Sequence, residues 1–236
     1  MESLIGGTIA DRVQSVLSKI RSAEERAGRP GGSVRLVAVT KTVAVDHIKE
    51  GLRAGLTILG ENRLQEALPK RAALTEHPVC WHFIGHLQRR KVRSVIGLFE
   101  VIHSVDSMDL AQEIDRRAGE ADHHQSVLLE VNIGNEPTKA GFHPEEVVRS
   151  VSAMAGFPHI SIKGLMTIPP QTDDPQSARP YFQKLNKLAQ QIAGLKIPSV
   201  SMHELSMGMS NDYEVAIEEG ATLVRVGTAL FGARHV

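Results

Sequence analysis

Residues 34–41 read VRLVAVTK, a short and mostly apolar run that ends on Lys41. Runs of this length that are rich in valine and leucine are typical of strands buried on both faces of a parallel sheet. We interpret the run as the first strand of such a sheet, with Lys41 at its carboxyl end. The sequence from Val45 onward then changes to a helical pattern.

The alternation of strand and helix continues along the chain. Strand-like runs lie near residues 34–39, 57–59, 81–84, 100–103, 127–133, 160–166, 202–205 and 223–226. Helical patterns follow the first seven of them, at residues 45–54, 63–74, 87–96, 108–118, 144–154, 178–192 and 212–219. An amphipathic helix at residues 8–27 precedes the first strand, because its apolar residues recur at helical spacing.

Eight strand–helix units in 236 residues predict an α/β fold of the (β/α)8 type, a TIM barrel near the small end of its size range. We expect a single domain over residues 1–236 with an extra N-terminal helix. A doubly wound open sheet is the alternative. That fold normally has a glycine-rich turn after its first strand, whereas residues 40–46 read TKTVAVD and contain no glycine.

The composition excludes several classes of protein. The formal net charge is zero and aromatic residues make up 4%, which argues against binding to nucleic acid. No apolar run approaches the length of a membrane span. The single cysteine, Cys80, excludes an internal disulfide. The first residues, MESLIGGTIADR, lack the pattern of a signal peptide, so we expect a cytoplasmic protein.

Lys41 is the first candidate for chemistry, because functional residues of these barrels follow the carboxyl ends of the strands. Desolvation lowers the pKa of a lysine and makes its amine nucleophilic, so that it can hold an aldehyde cofactor as a Schiff base. Position alone also fits a solvated lysine that closes a strand.

Two turns near the end of the chain predict a phosphate site. The first reads SMGMSND at residues 206–212, and the second is the VGT of residues 226–228. Phosphate sites in TIM barrels recur after strands seven and eight, where glycines let the backbone approach and N–H groups and hydroxyls donate. We expect Ser210 or Asn211 to cap the helix that follows. The candidate residues are Ser206, Gly208, Ser210, Gly227 and Thr228. An ordinary capped helix with a glycine turn is the alternative.

Arg225 alternates with Val224 and Val226 on the last strand, so we expect it to face the interior of the barrel. A buried guanidinium needs an acceptor, which a pyridine nitrogen or a carboxylate such as Glu130 would provide. An outward arginine that bridges to a helix is the alternative. The eleven histidines do not form a pattern of metal ligands, so we expect no metal site.

The motifs together resemble a known family. VAVTK, GENRLQEA, WHFIGHLQ, HSVDS, VNIGNEPTKAGF, GLMTIPP, ELSMGMSNDYEVAIEEGAT and VRVGTALFG are similar to the pyridoxal phosphate homeostasis proteins, single-domain relatives of the alanine racemase N-terminal barrel. The resemblance extends from about Arg12 to Gly232. It implies a fold type III barrel that carries pyridoxal 5′-phosphate (PLP) on Lys41.

The resemblance also implies roles for individual residues. It places Ser206, Gly208, Met209 and Ser210 near the phosphate, together with Gly227 and Thr228, and Arg225 at the pyridine nitrogen. It places Asn62, His82 and Met166 around the ring. Two positions depart from the family pattern: Arg63 stands where a tyrosine is common, and Arg90 where an asparagine is common.

The expected function is that of a PLP carrier and not of an enzyme. An arginine at the pyridine nitrogen makes the ring a weak electron sink, and a two-base racemase needs a second base that alanine racemases take from a further domain. We expect a monomer that buffers PLP or hands it to PLP-dependent apoenzymes. A weak amino-acid racemase is the alternative, and a phosphate-binding barrel without pyridoxal is the third. Lys139 is the second candidate for the aldehyde.

Overall fold

A computed structural model describes residues 7–232 as a closed barrel of eight parallel strands in sequential order, β1 to β8, with β8 paired to β1. This confirms the predicted (β/α)8 barrel. The strands are β1 Arg35–Val39, β2 Ile58–Glu61, β3 Cys80–Phe83, β4 Val101–Val105, β5 Gln125–Glu130, β6 Ile160–Met166, β7 Val200–Ser206 and β8 Leu223–Val226.

The helices lie outside the strands. They are α1 Ile9–Arg26, α2 Val45–Arg53, α3 Leu64–Ala73, α4 Met108–Glu120, α5 Pro144–Met154, α6 Arg179–Gly194, α7 Tyr213–Glu218 and α8 Thr228–Phe231. The extra N-terminal helix is α1, which begins with a capping box between Thr8 and Asp11 and packs against α2, α7 and α8. Within residues 7–232, no helix combines the length and the hydropathy needed to cross a bilayer.

Successive residues of each strand face opposite sides of the sheet, so the strands lie between two apolar cores. On β8, Val224 and Val226 pack in the large apolar core beneath the helices. Leu223 packs in a small cluster inside the barrel, with Val37 and Met166 among its members. The upper part of the interior is polar, in contrast to the branched apolar side chains that usually fill such barrels. Arg225 contributes to it, as the alternation on β8 predicted.

The structure differs from the expected elements in three places. A short 3-10 helix at Pro175–Ala178 precedes α6. Residues 87–96 form a 3-10 helix at Arg89–Ser94 instead of an α-helix. Its apolar side chains, Val92 and Val95, are fully buried and three residues apart, which is the period of a 3-10 helix. A further short helix, α8, follows the last strand where the sequence predicted only a turn.

Candidate functional site

Lys41 follows β1 at the carboxyl-terminal mouth of the barrel and is held through the backbone on both sides. The carbonyl oxygen of Thr40 accepts a hydrogen bond from Lys70 Nζ at 2.6 Å. The N–H of Thr42 donates to Glu66 Oε2 at 2.7 Å, and Thr42 itself has φ of +62°. The strand end that carries Lys41 is therefore attached to α3.

A buried ion pair lies behind this strand end. Lys70 Nζ is 2.7 Å from Glu61 Oε1, and both side chains are at least nine-tenths buried. The Thr40 hydroxyl donates to the same oxygen at 2.6 Å. Burial raises the pKa of Glu61, and the hydrogen bond from Lys70 opposes that shift. Sequence reasoning missed Lys70, although a lysine between Ala67 and Leu74 on the apolar face of α3 was the available signal.

The turn after β7 requires its glycine. Gly208 has φ of +90°, and a Cβ there would lie 2.6 Å from Ala216 Cβ and 2.9 Å from Tyr213 Cα. Asp212 closes the turn, because its Oδ1 accepts from the N–H of Met209 at 2.6 Å. Asp212 is also the N-cap residue of α7. The predicted cap at Ser210 or Asn211 is therefore wrong.

Ser210 connects the two turns that the sequence predicted to bind phosphate. Its Oγ accepts from the N–H groups of Gly227 and Ala229, each at 3.3 Å. Among residues 7–232, the N–H groups of Ser210, Asn211 and Thr228 have no acceptor. These three residues line the same cavity, so their N–H groups can bind an oxyanion.

Arg225 lies at the wall of the cavity and is fixed from inside the barrel. Its Nη1 donates to Ser206 Oγ at 2.5 Å, and its Nη2 donates to the carbonyl of Thr167 at 2.9 Å. Burial lowers the pKa of Arg225 to about 10, opposed by the charges of Glu130 and Asp212. The guanidinium therefore stays protonated at neutral pH, with N–H groups left for a further acceptor.

The structure places the Ser206 hydroxyl inside the barrel and not in the phosphate turn. The strand β7 extends one residue beyond the predicted end, so Ser206 has the inward orientation of a strand residue and is fully buried. Its Oγ is 2.9 Å from His103 Nδ1, and His103 Nε2 is 2.8 Å from His82 Nδ1. The sequence did not single out His103 as a site residue.

Both of these imidazoles are neutral at neutral pH. Burial lowers the pKa of His82 to about 4, with a smaller contribution from the charge of Arg35. Burial also brings the pKa of His103 well below its ordinary value, helped by the charges of His82 and Arg225. The interior of the barrel therefore contains a polar, uncharged support beneath Arg225.

A cavity of about 1100 Å³ opens between the turns and the loops after β1, β5 and β6. Six of the predicted site residues line it: Lys41, Met209, Ser210, Arg225, Gly227 and Thr228. The other five do not: Asn62, His82, Met166, Ser206 and Gly208. Three of the latter, His82, Met166 and Ser206, are at most 1% exposed and lie in the interior of the barrel.

Lys139 lines the cavity as well, on the loop after β5. Its Nζ is 2.6 Å from Glu136 Oε1 and donates to the carbonyl of Pro169 at 3.1 Å.

The two residues that depart from the family pattern lie outside the cavity lining. Arg63 is exposed and 3.8 Å from Glu66, and exposed Arg90 bonds to Gln88. Within residues 7–232 no cluster of three potential metal ligands occurs.

The sequence matches the family described as Alanine racemase, N-terminal domain, over residues 12–235. A pyridoxal phosphate homeostasis protein of Aquifex aeolicus (strain VF5) is 46% identical over 224 residues, which cover 95% of this chain and 97% of that protein. A protein of the same name from Pseudomonas aeruginosa is 40% identical over 227 residues, or 96% of each chain.

Solved structures show the same barrel. The structure of PipY of Synechococcus elongatus with PLP bound is 37% identical, has a TM-score of 0.83, and is matched over 95% of this chain and all of that one. An alanine racemase of Clostridium difficile has a TM-score of 0.71 at 16% identity, over 96% of this chain and 57% of that one. The second likeness concerns the fold alone.

Proposed function

Because the chain belongs to the family of the pyridoxal phosphate homeostasis proteins, which share the alanine racemase N-terminal domain, we propose that it binds PLP and serves PLP homeostasis. In this proposal Lys41 holds the aldehyde as a Schiff base, and the protein buffers the cofactor or transfers it. One observation carries the proposal: a single cavity joins Lys41 to Arg225 and to two turns with N–H groups that lack acceptors among the described residues, 7–232.

The residues around the cavity fit the functional groups of PLP. Lys41 provides the amine for the aldehyde. The N–H groups of Ser210, Asn211 and Thr228 fit a phosphate, with Gly208 required for the backbone path and Gly227 between them. Arg225 fits the pyridine nitrogen, because it can only donate and has donors left. When bound, PLP would supply an aldehyde that an amine can capture and release.

The remaining predicted residues support the cavity from outside its walls. His82 and Met166 lie below it in the barrel, where they fit a role in supporting the ring from beneath. Asn62 follows β2, and its backbone lies against Gly85, where a Cβ would be 2.3 Å from the carbonyl oxygen of Asn62. We propose that Asn62 belongs to the ring end of the site, as the family resemblance implies.

The chemistry of the cavity favours a carrier over an enzyme. A protonated Arg225 at the pyridine nitrogen would leave that nitrogen unprotonated, which weakens the ring as an electron sink. Neither Tyr181 nor Tyr213 lines the cavity, and burial raises the pKa of Tyr213 to about 12. The alternative is a weak racemase, in which His47, whose imidazole lines the cavity, is the candidate for the second base.

Reduction with borohydride tests the proposal. Protein incubated with PLP, reduced and digested should carry a pyridoxyl group on Lys41, and Lys41→Ala should lose the absorbance of the Schiff base. Lys139→Ala is the matched control and should retain both signals. A pyridoxyl group on Lys139 alone, or on no lysine, would refute the assignment to Lys41.

Incubation with L-amino acids separates the carrier from the racemase. A carrier should yield no D-amino acids or keto acids above the level of free PLP. Robust turnover that disappears in Lys41→Ala would favour the enzyme.

We further propose that the protein acts as a monomer in the cytoplasm, that residues 1–236 form one domain, and that PLP-dependent apoenzymes are its transient partners. Light scattering of the purified protein tests the first of these.

A further inference from the structure

Five side chains form a continuous hydrogen-bonded series through the interior of the barrel. We call this series the luminal row, and its members are Cys80, His82, His103, Ser206 and Arg225. From the cavity downward, Arg225 Nη1 is 2.5 Å from Ser206 Oγ, which is 2.9 Å from His103 Nδ1. His103 Nε2 is 2.8 Å from His82 Nδ1, and His82 Nε2 is 3.4 Å from Cys80 Sγ. Four of the five residues are at most 5% exposed, and Cys80 is partly exposed.

The chemistry of the members fixes the direction of the hydrogen bonds. A guanidinium can only donate, so Ser206 Oγ accepts from Arg225. Within residues 7–232, the other polar atom in reach of the Ser206 hydroxyl is His103 Nδ1. A fully buried hydroxyl without an acceptor is costly, so the hydroxyl donates to Nδ1.

The same reasoning extends down the row. An imidazole that is neutral and accepts at Nδ1 carries its proton on Nε2. His103 therefore donates from Nε2 to His82 Nδ1, and His82 in turn donates from Nε2 to Cys80 Sγ. The opposite direction would begin with the thiol as donor and would leave the Ser206 hydroxyl without an acceptor.

We propose that the luminal row is a positioning device for Arg225, in which Ser206 and His103 are positioning residues and both histidines are Nε2–H tautomers. The role toward the ring nitrogen rests on the proposed function. The row holds one face of the guanidinium by groups without charge, so that the positive charge of Arg225 remains available to a ligand in the cavity. The lowered pKa values of the two imidazoles agree with this arrangement.

The tautomers can be measured without PLP. In protein labelled with ¹⁵N-histidine, the nitrogen shifts of His82 and His103 should show protonated Nε2 and unprotonated Nδ1, before and after addition of PLP. An Nδ1–H tautomer or an imidazolium at His103 would overturn the proposal.

Two substitutions at His103 test its positioning role. Asn can place an acceptor near the position of Nδ1 and keep the bond from Ser206, whereas Gln reaches the position of Nε2 and leaves Ser206 without an acceptor. We expect His103→Gln to weaken PLP binding about tenfold, the effect of one lost hydrogen bond next to a charge, and His103→Asn to stay within about threefold of the wild type. Cys80→Ala, at the far end of the row, should change binding less than twofold.

The pattern of these effects decides between positioning and general packing. Equal losses in His103→Asn and His103→Gln, or a loss in Cys80→Ala as large as in His103→Gln, would overturn the positioning role. Melting temperatures and reduction of Lys41 with borohydride confirm that each variant is folded and forms the Schiff base. If the wild type binds no PLP, the proposed function fails, while the tautomers measured without PLP still test the hydrogen-bond direction.

Discussion

Two basic side chains, Lys41 and Arg225, line the cavity at neighbouring strands, and they are supported in opposite ways. The end of β1 that carries Lys41 is held from outside the barrel by the buried charges of Glu61 and Lys70. Arg225 on β8 is held from inside by a hydroxyl and a carbonyl, and two neutral imidazoles support that hydroxyl. The contrast indicates that charge is used where the backbone alone must be fixed, and uncharged groups are used where a charge must remain available to a ligand.

The largest expected effect is on the charged support of Lys41. Lys70→Met removes the partner of Glu61 and leaves a fully buried carboxylate next to the strand end. Breaking a buried pair in this way costs about 3–5 kcal/mol, so the free energy of unfolding should fall by that amount in urea titrations. Lys187→Met, on the exposed face of α6, should change it by less than about 0.5 kcal/mol.

A double variant sharpens this test. Glu61→Gln with Lys70→Met removes both charges, and replacing a whole buried pair by uncharged groups is often close to neutral. The double variant should therefore recover much of the stability that the single variant loses. If the single and double variants are equally unstable, the charge of Glu61 is not the cause, and the comparison between a charged and an uncharged support loses its basis.

The barrel and a part of the cavity lining could be predicted from sequence, because local patterns report them. An apolar run ending at Lys41 and the glycine turns at Gly208 and Gly227 placed three of the strand ends, and the inward direction of Arg225 followed from alternation. The supports could not be predicted in the same way. His103 meets Ser206 across 103 positions of sequence, and Lys70 meets the carbonyl of Thr40 only after the strand and helix have packed.

The second effect concerns the turn beside Arg225. Gly208→Ala must place a side chain at φ of +90° and between Ala216 and Tyr213, which should cost about 2–3 kcal/mol in stability and weaken PLP binding. Gly28→Ala is the control, because Gly28 has φ of +64° with open space around it. It should cost about 1 kcal/mol and leave PLP binding unchanged. Equal losses of affinity in both variants would mean that the turn does not bind the phosphate.

The third effect tests whether the support of Arg225 is uncharged. The pKa of His82 is about 4 in the folded protein and near 6.5 when unfolded, so the unfolded state binds more protons between these values. The contribution of neutral His82 to the free energy of unfolding is fully present above pH 6.5. It is lost as the pH drops toward 4, by about 1 kcal/mol per pH unit.

The contribution of His82 can be isolated by comparing variants. Carboxyl groups with raised pKa values, such as Glu61 and Glu130, are common to the wild type and to His82→Gln, so the difference between their stability curves belongs to the imidazole. Urea titrations of the apoprotein at pH 5.5 and 7.5 should show a steeper loss for the wild type. Parallel curves would mean that His82 is charged or exposed in the folded protein, contrary to a neutral support.

The smallest effect is expected at Ser210, whose hydroxyl joins the two turns. Unlike the Glu61–Lys70 pair behind Lys41, this support is a single uncharged group. Ser210→Ala removes the acceptor for the N–H groups of Gly227 and Ala229, which costs about 1 kcal/mol in stability. These two N–H groups then become available to the phosphate and offset part of the loss. Binding of PLP should therefore fall by less than about fivefold. Ser152→Ala on α5 should change neither quantity, because in the part of the chain that the structure describes the Ser152 hydroxyl bonds only to the Val148 carbonyl of its own helix. A loss of affinity of a hundredfold or more would instead mean that the Ser210 hydroxyl itself binds the phosphate, and the turn would then combine structural support and ligand binding in one group.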